Sequence, residues 1–147
     1  MKPELPGSIF LNLGRMIRKS FTNEFRATFG DEISPVEGKT LGYIRAYPGI
    51  SPKEVGCHFE WNKSSTSELV GSLIAKGFVE ERVNPSDKRG KHLYVTPKGE
   101  EMDERAKKAL FLHDERLFAD ISEEELNTVE EIYRKIEMKT KGEAHES

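Results

Sequence analysis

The residues Lys63-Ser64-Ser65-Thr66-Ser67 put one cation and four hydroxyls into little more than a single helical turn. Hydroxyls and the N–H groups of a helix start can donate to phosphate oxygens and base edges, and small side chains let a helix end enter a groove. Further along, Asp87-Lys88-Arg89-Gly90-Lys91 crowds three cations around one glycine, with Arg82 and His92 close in sequence. Cations on a projecting turn can lie along phosphates or reach into a minor groove, where arginine meets a strongly negative potential. Each segment alone has a plainer reading: a capped helix start in the first case, a solvated charged loop in the second. Together they point to a double-stranded nucleic acid.

The elements that must position these segments follow from periodicity and turn chemistry. Phe10, Leu13, Ile17, Phe21 and Phe25 recur every three or four residues, predicting one amphipathic helix over 8–29 that ends at Gly30. Ser34-Pro35-Val36-Glu37 and Ser51-Pro52-Lys53-Glu54 are two capping boxes with proline at the first helical position, the second stapled by Ile50 and Val55. The first of these helices stops before Pro48-Gly49 and the second is closed by Phe59-Glu60-Trp61-Asn62. Asn62 then caps a helix running from Lys63 to about Lys76, with Leu69, Val70, Leu73 and Ile74 inward and Gly77 as its stop. Beyond it the period changes to that of two short strands, 79–83 and 91–95, around a polar turn over 84–90. Thr96-Pro97 opens a long helix carrying Met102, Ala106, Leu110, His113 and Leu117. A last helix opens at the capping box Ser122-Glu123-Glu124-Glu125 and frays from Lys139.

This order predicts a mainly α fold with a small β-hairpin wing. It is a winged helix-turn-helix whose N- and C-terminal helices form a dimerisation domain. The 147 residues fit a single domain: helices over 8–30 and 97–140 for dimerisation, and 34–96 for the winged motif. A motif of that size cannot bury the apolar stripes at both ends of the chain, so a symmetric partner, a homodimer, is expected. The net charge of −3 hides an uneven distribution. Residues 1–61 carry 8 basic and 7 acidic groups, 62–98 carry 7 and 4, and 99–147 carry 8 and 15. The locally basic middle can hold phosphate while the acidic remainder faces elsewhere. No membrane span or secretory signal is evident, and one cysteine excludes a disulfide framework, so the expected compartment is the cytoplasm.

Over nearly its whole length the chain resembles the MarR-type (multiple antibiotic resistance) regulators. The likeness is densest in Lys63-Ser64-Ser65-Thr66-Ser67-Glu68-Leu69-Val70-Gly71-Ser72-Leu73-Ile74-Ala75-Lys76-Gly77-Phe78-Val79, in Asn84-Pro85-Ser86-Asp87-Lys88-Arg89, and in Leu93-Tyr94-Val95-Thr96-Pro97-Lys98-Gly99. The resemblance implies a dimeric operator-binding regulator, most relatives being repressors released by small aromatic or phenolic compounds, oxidants or metals. Its expected DNA contacts are Lys53, Asn62, Lys63, Ser64, Ser65, Ser67 and Glu68 from the helix-turn-helix, and Lys88, Arg89 and Lys91 from the wing. Asp87 is expected to brace the wing, by pairing with Arg89 or with backbone N–H groups. The chain departs from the family pattern at Glu68, where arginine is frequent, and at Gly71-Ser72, which replace a typically charged pair. Glu68 either accepts from a cytosine amino group or offsets Lys63 or Ser72. The nearly neutral helix and the acidic net charge favour an alternative, a winged-helix module that binds protein and not DNA.

Other chemistry is weakly represented. Cys57 and His58 diverge by about 100° on a helix, and His113 has no second histidine one turn away, so no metal site is expected. Cys57 reads as a buried structural thiol and Gly56 as a point of close approach by the following helix. Met16, Tyr43, Tyr47 and His113 are candidate walls of an effector pocket for a small aromatic molecule, or else ordinary core and boundary residues. No phosphate loop, nucleophile elbow or zinc-protease helix occurs, so neither an enzyme nor a cofactor is expected.

Overall fold

The computed structural model describes residues 5–84 and 86–146, with the side chains of all of these except 84, 87–89 and 144–146. The element order is α1 (Gly7–Phe29), α2 (Pro35–Ala46), α3 (Pro52–Phe59), α4 (Lys63–Ala75), β1 (Val79–Asn84), β2 (Asp87–Val95), α5 (Pro97–Leu117) and α6 (Glu123–Glu146). The chain divides into two units, Met1–Phe111 and Leu112–Ser147, the break falling inside α5. No helix among the described residues is long and apolar enough to cross a membrane.

The helix starts form as their sequences dictate. The Ser34 hydroxyl accepts from the Glu37 N–H at 3.1 Å while Glu37 Oε1 accepts from the Ser34 N–H at 2.8 Å. Ser51 and Glu54 repeat the exchange at 3.1 and 2.9 Å, and Ser122 and Glu125 at 3.1 and 3.4 Å. In the first unit, one core gathers Ile33, Leu41, Ile44, Val55, Leu73 and Leu93, each with no exposed surface, together with Phe78, Val79 and Met102. Of the α1 stripe only Phe25 and Phe29 are buried; Ile9, Phe10, Leu13 and Met16 remain exposed. On α6 the stripe Leu126, Val129, Tyr133 and Ile136 is likewise exposed.

Three local expectations are corrected. The hairpin is longer than expected: β1 and β2 pair antiparallel with Val79 opposite Val95 and Val83 opposite Lys91, and pairing resumes at Asn84 and Asp87. The register shifts between Val83 and Asn84, a bulge that carries β2 through residues 88–90, where an open turn was expected, because backbone pairing does not require apolar side chains. The last helix continues past Lys139 to Glu146, where Glu137 and Lys141 pair at 3.0 Å one turn apart. Cys57 is exposed, not buried. Val55 and Phe59 define the inner side of α3, and position 57 falls half a turn away from them.

Two contacts fix the frame around α4. Glu37, almost fully buried, collects two donors besides the Ser34 N–H of its capping box: Lys76 Nζ at 2.8 Å on Oε1 and the Ser72 hydroxyl at 2.7 Å on Oε2. One carboxylate thereby ties the start of α2 to the last turns of α4. Burial raises its pKa, but the bonds from Lys76, Ser72 and Ser34 outweigh burial and hold it at about 2. The second contact is at Gly99 in the first turn of α5, where an added Cβ would overlap the Phe78 carbonyl oxygen and stand 2.7 Å from Val95 Cγ1. There Thr96 Oγ1 accepts from the Gly99 N–H at 3.0 Å and donates to the Gly77 carbonyl at 2.6 Å.

Gly99→Ala is expected to lose about 2–4 kcal/mol in a urea melt, since the obstructing atom is backbone; an unchanged midpoint would contradict the packing. Because the Glu37 pKa is depressed from 4.5 to about 2, its contribution is present above pH 4.5 and lost as pH falls towards 2. Glu37→Gln should therefore destabilise the neutral-pH protein by about 2–3 kcal/mol and flatten its stability profile across that acid window. Parallel profiles for the two proteins would exclude the clamp.

Candidate nucleic-acid interface

α3 and α4 meet across a tight turn. Glu60 adopts the left-handed conformation (φ 58°), the Trp61 N–H returns to the Gly56 carbonyl at 2.9 Å, and the Asn62 side chain accepts from the Ser65 N–H at 2.8 Å. Gly56 is the point of closest approach. A Cβ there would stand 2.7 Å from Thr66 Oγ1 and 3.5 Å from the Trp61 carbonyl oxygen. Thr66 donates in turn to the Asn62 carbonyl at 2.8 Å. The turn is braced from outside by stacked rings of Phe59 and Trp61, 4.6 Å apart, with Lys39 Nζ 5.1 and 5.7 Å from their centroids.

This packing sorts α4 into two faces. Thr66, Val70 and Leu73 are buried, whereas Lys63, Ser64, Ser65, Ser67 and Glu68 are exposed, as are Lys53 and Asn62. Lys53, Lys63 and Ser67 border a cleft of about 650 Å³ between the starts of α3 and α4, which Cys57 and Trp61 also line. Ser65 and Glu68 border a second cleft, with Val36 and Trp61, so the expected helix-turn-helix contacts are all exposed but divide between two clefts. Asn62 additionally spends its side-chain oxygen on the cap.

The hairpin is partly described. Lys91 is exposed and sits 3.7 Å from Glu81. Arg82 is engaged twice, by Glu80 and by the Tyr94 ring at 4.2 Å, and His92 Nδ1 lies 2.9 Å from the Gly49 carbonyl oxygen. The Gly49 N–H donates to the Leu93 carbonyl at 2.8 Å and the Leu93 N–H to the Ile50 carbonyl at 2.9 Å, so the hairpin is fastened to the loop that begins α3. The side chains of Asp87, Lys88 and Arg89 lie outside the described residues.

The four effector candidates fall in different places. Tyr43 and Tyr47, rings 4.9 Å apart, line one open cleft with Pro48 and Glu54; Tyr43 also stacks on His58 at 3.9 Å. Met16 is exposed on α1, and His113 is half-buried in the second unit. A cavity the periodicity did not disclose, about 320 Å³, lies between α1, α2 and α5 and is lined by Phe21, Phe25, Gly38, Gly42 and Leu110. On its edge the buried Asp103 takes Arg45 at 3.0 Å and Lys107 at 2.7 Å. The only sequence signal for it was the pair of glycines four apart on α2. The Glu37 clamp was hidden because a capping glutamate gives no sign of a second use.

The MarR family model matches residues 32–90. The chain is 31% identical over 112 residues to an uncharacterized HTH-type transcriptional regulator, YdgG of Bacillus subtilis, covering 75% of this chain and 74% of that one. It is 32% identical over 115 residues to the HTH-type transcriptional regulator BilQ of Clostridium symbiosum, covering 74% and 78%. Among solved structures, Streptococcus pneumoniae FabT in complex with DNA superposes with a TM-score of 0.75 at 21% identity, over 92% of this chain and 97% of that one. With a helix-turn-helix, a fastened hairpin and relatives of this identity and coverage, the chain belongs to the MarR family of transcriptional regulators.

Proposed function

We propose that this protein works in the cytoplasm as a homodimeric, operator-binding repressor that a small molecule releases from DNA. The observation that carries the reading is the division of α4 into a face locked against α3 and Glu37 and an opposite face of exposed hydroxyls with Lys63 at its start. Among the described residues the core leaves that outer face exposed, and its groups suit phosphate and base edges. Lys53, Lys63 and Lys91, with Lys88 and Arg89 on the wing, supply the cations, and Asp87 braces the wing. The exposed stripes of α1 and α6 suit a symmetric partner, which would set two motifs about one helical turn of DNA apart. For the effector, the cavity between α1, α2 and α5 is apolar enough to take an aromatic body, and the cleft at Tyr43 and Tyr47 is the second place to look. No catalysis is proposed.

If about 3–4 cations per protomer touch phosphate, the affinity of the dimer for DNA from its own promoter region should fall with salt at a log–log slope of roughly −5 to −7. Removing both wing cations, Lys88→Ala with Arg89→Ala, should weaken binding and make that slope shallower. A double variant with unaltered affinity and slope would rule out the wing contact, and failure to bind at low salt would rule out the whole reading.

A further inference from the structure

With Thr66, Val70 and Leu73 turned inward, Ser64, Glu68, Gly71 and Ala75 follow one another along the outer face of α4 at spacings of four, three and four residues. All four are exposed. Three are small, so Glu68 is the one side chain in this row that reaches beyond the helix surface. No hydrogen bond or ion pair engages its carboxylate among the described residues, so it offsets neither Lys63 nor Ser72, whose hydroxyl is given to Glu37. Gly71 is equally unexplained from within. Its backbone is ordinary right-handed helix, and a Cβ built there meets no atom within 4 Å. A glycine inside an exposed helix lowers its stability relative to alanine. Among the described residues, no turn and no neighbouring element requires it. A glycine at such a place suits close approach by a surface outside the chain, in the same row as Glu68.

We infer that Glu68 selects cytosine at one position of each operator half-site by accepting a hydrogen bond from its exocyclic amino group, with Gly71 admitting the base edges to close range. The inference rests on the operator-binding reading above. A carboxylate only accepts. In the major groove guanine shows it two acceptors, and thymine an acceptor and a methyl group. Adenine offers a donor with an acceptor beside it, so the second carboxylate oxygen faces a lone pair. Cytosine alone presents its amino donor without an acceptor of its own. An anion brought between two rows of phosphates is repelled unless such a donor receives it. The same carboxylate thus accepts one base and rejects the other three, so repulsion contributes as much as attraction to the choice.

Selection from a random duplex library tests this directly, using the full-length protein and variants whose helical circular dichroism matches the parent. The parent should enrich one invariant cytosine per half-site, and its exchange for thymine should weaken binding about tenfold or more. Glu68→Gln should move that position to adenine, whose amino group and N7 a carboxamide can pair together, and Glu68→Ala should accept any base there. Gly71→Ala should melt at a higher temperature than the parent yet bind the selected operator several-fold more weakly, an opposition that a purely structural glycine would not give. Unaltered base preferences in both Glu68 variants would overturn the inference. So would a Gly71→Ala protein that is more stable and binds as tightly. A parent that enriches no sequence would overturn the operator-binding reading itself, and this inference with it.

Discussion

The packing of α3 on α4 leaves no room for a side chain at position 56: a methyl group there would press on the Thr66 hydroxyl at 2.7 Å. Much of the rest depends on that contact. It sets the two helices at a separation that buries Val55, Thr66 and Val70, and so decides which residues of α4 turn outward. The other end of α4 is held by Lys76 and Ser72 on Glu37, which is itself fixed by capping α2. A helix gripped at both ends cannot rotate about its axis without breaking buried polar bonds, which cost more to leave unmade than they contribute when formed. The outward row is therefore preorganised, and binding loses less conformational freedom than a mobile helix would.

Charge is arranged with the same economy. The helix that faces outward is nearly neutral, with Lys63 at its start and Glu68 midway. In the proposed complex, general attraction to the polyanion would come from the helix's surroundings, from Lys53 and the hairpin, while the helix would discriminate. Two side chains near the hairpin are engaged by local partners instead, Arg82 by Glu80 and Tyr94, and His92 by the Gly49 carbonyl. The acidic load is concentrated after residue 98, in α5 and α6.

Helix starts were readable from sequence because a capping box is a local interaction: Ser34 with Glu37, Ser51 with Glu54 and Ser122 with Glu125 all close as spacing requires. The order of elements and, on α4, the inward Val70 and Leu73 followed from periodicity for the same reason, whereas the buried Thr66 did not. What escaped was non-local. Cys57 was expected inside, yet on an eight-residue helix whose buried residues are Val55 and Gly56 its position turns to solvent. The hairpin was underestimated because polar composition was taken for absence of pairing, although backbone pairing does not require apolar side chains. The α1–α2–α5 cavity and the second use of Glu37 join residues tens of positions apart, and no spacing rule encodes such meetings.

The central claim is that two copies of the gripped helix and its hairpin face one side of a duplex. Hydroxyl-radical footprinting of the purified protein on its own upstream DNA measures this most directly. The account predicts two patches of protected sugars on the same face, their centres about 10 bp apart, with sparing of the opposite face. A single patch, or cleavage identical to that of free DNA at low ionic strength, would contradict it.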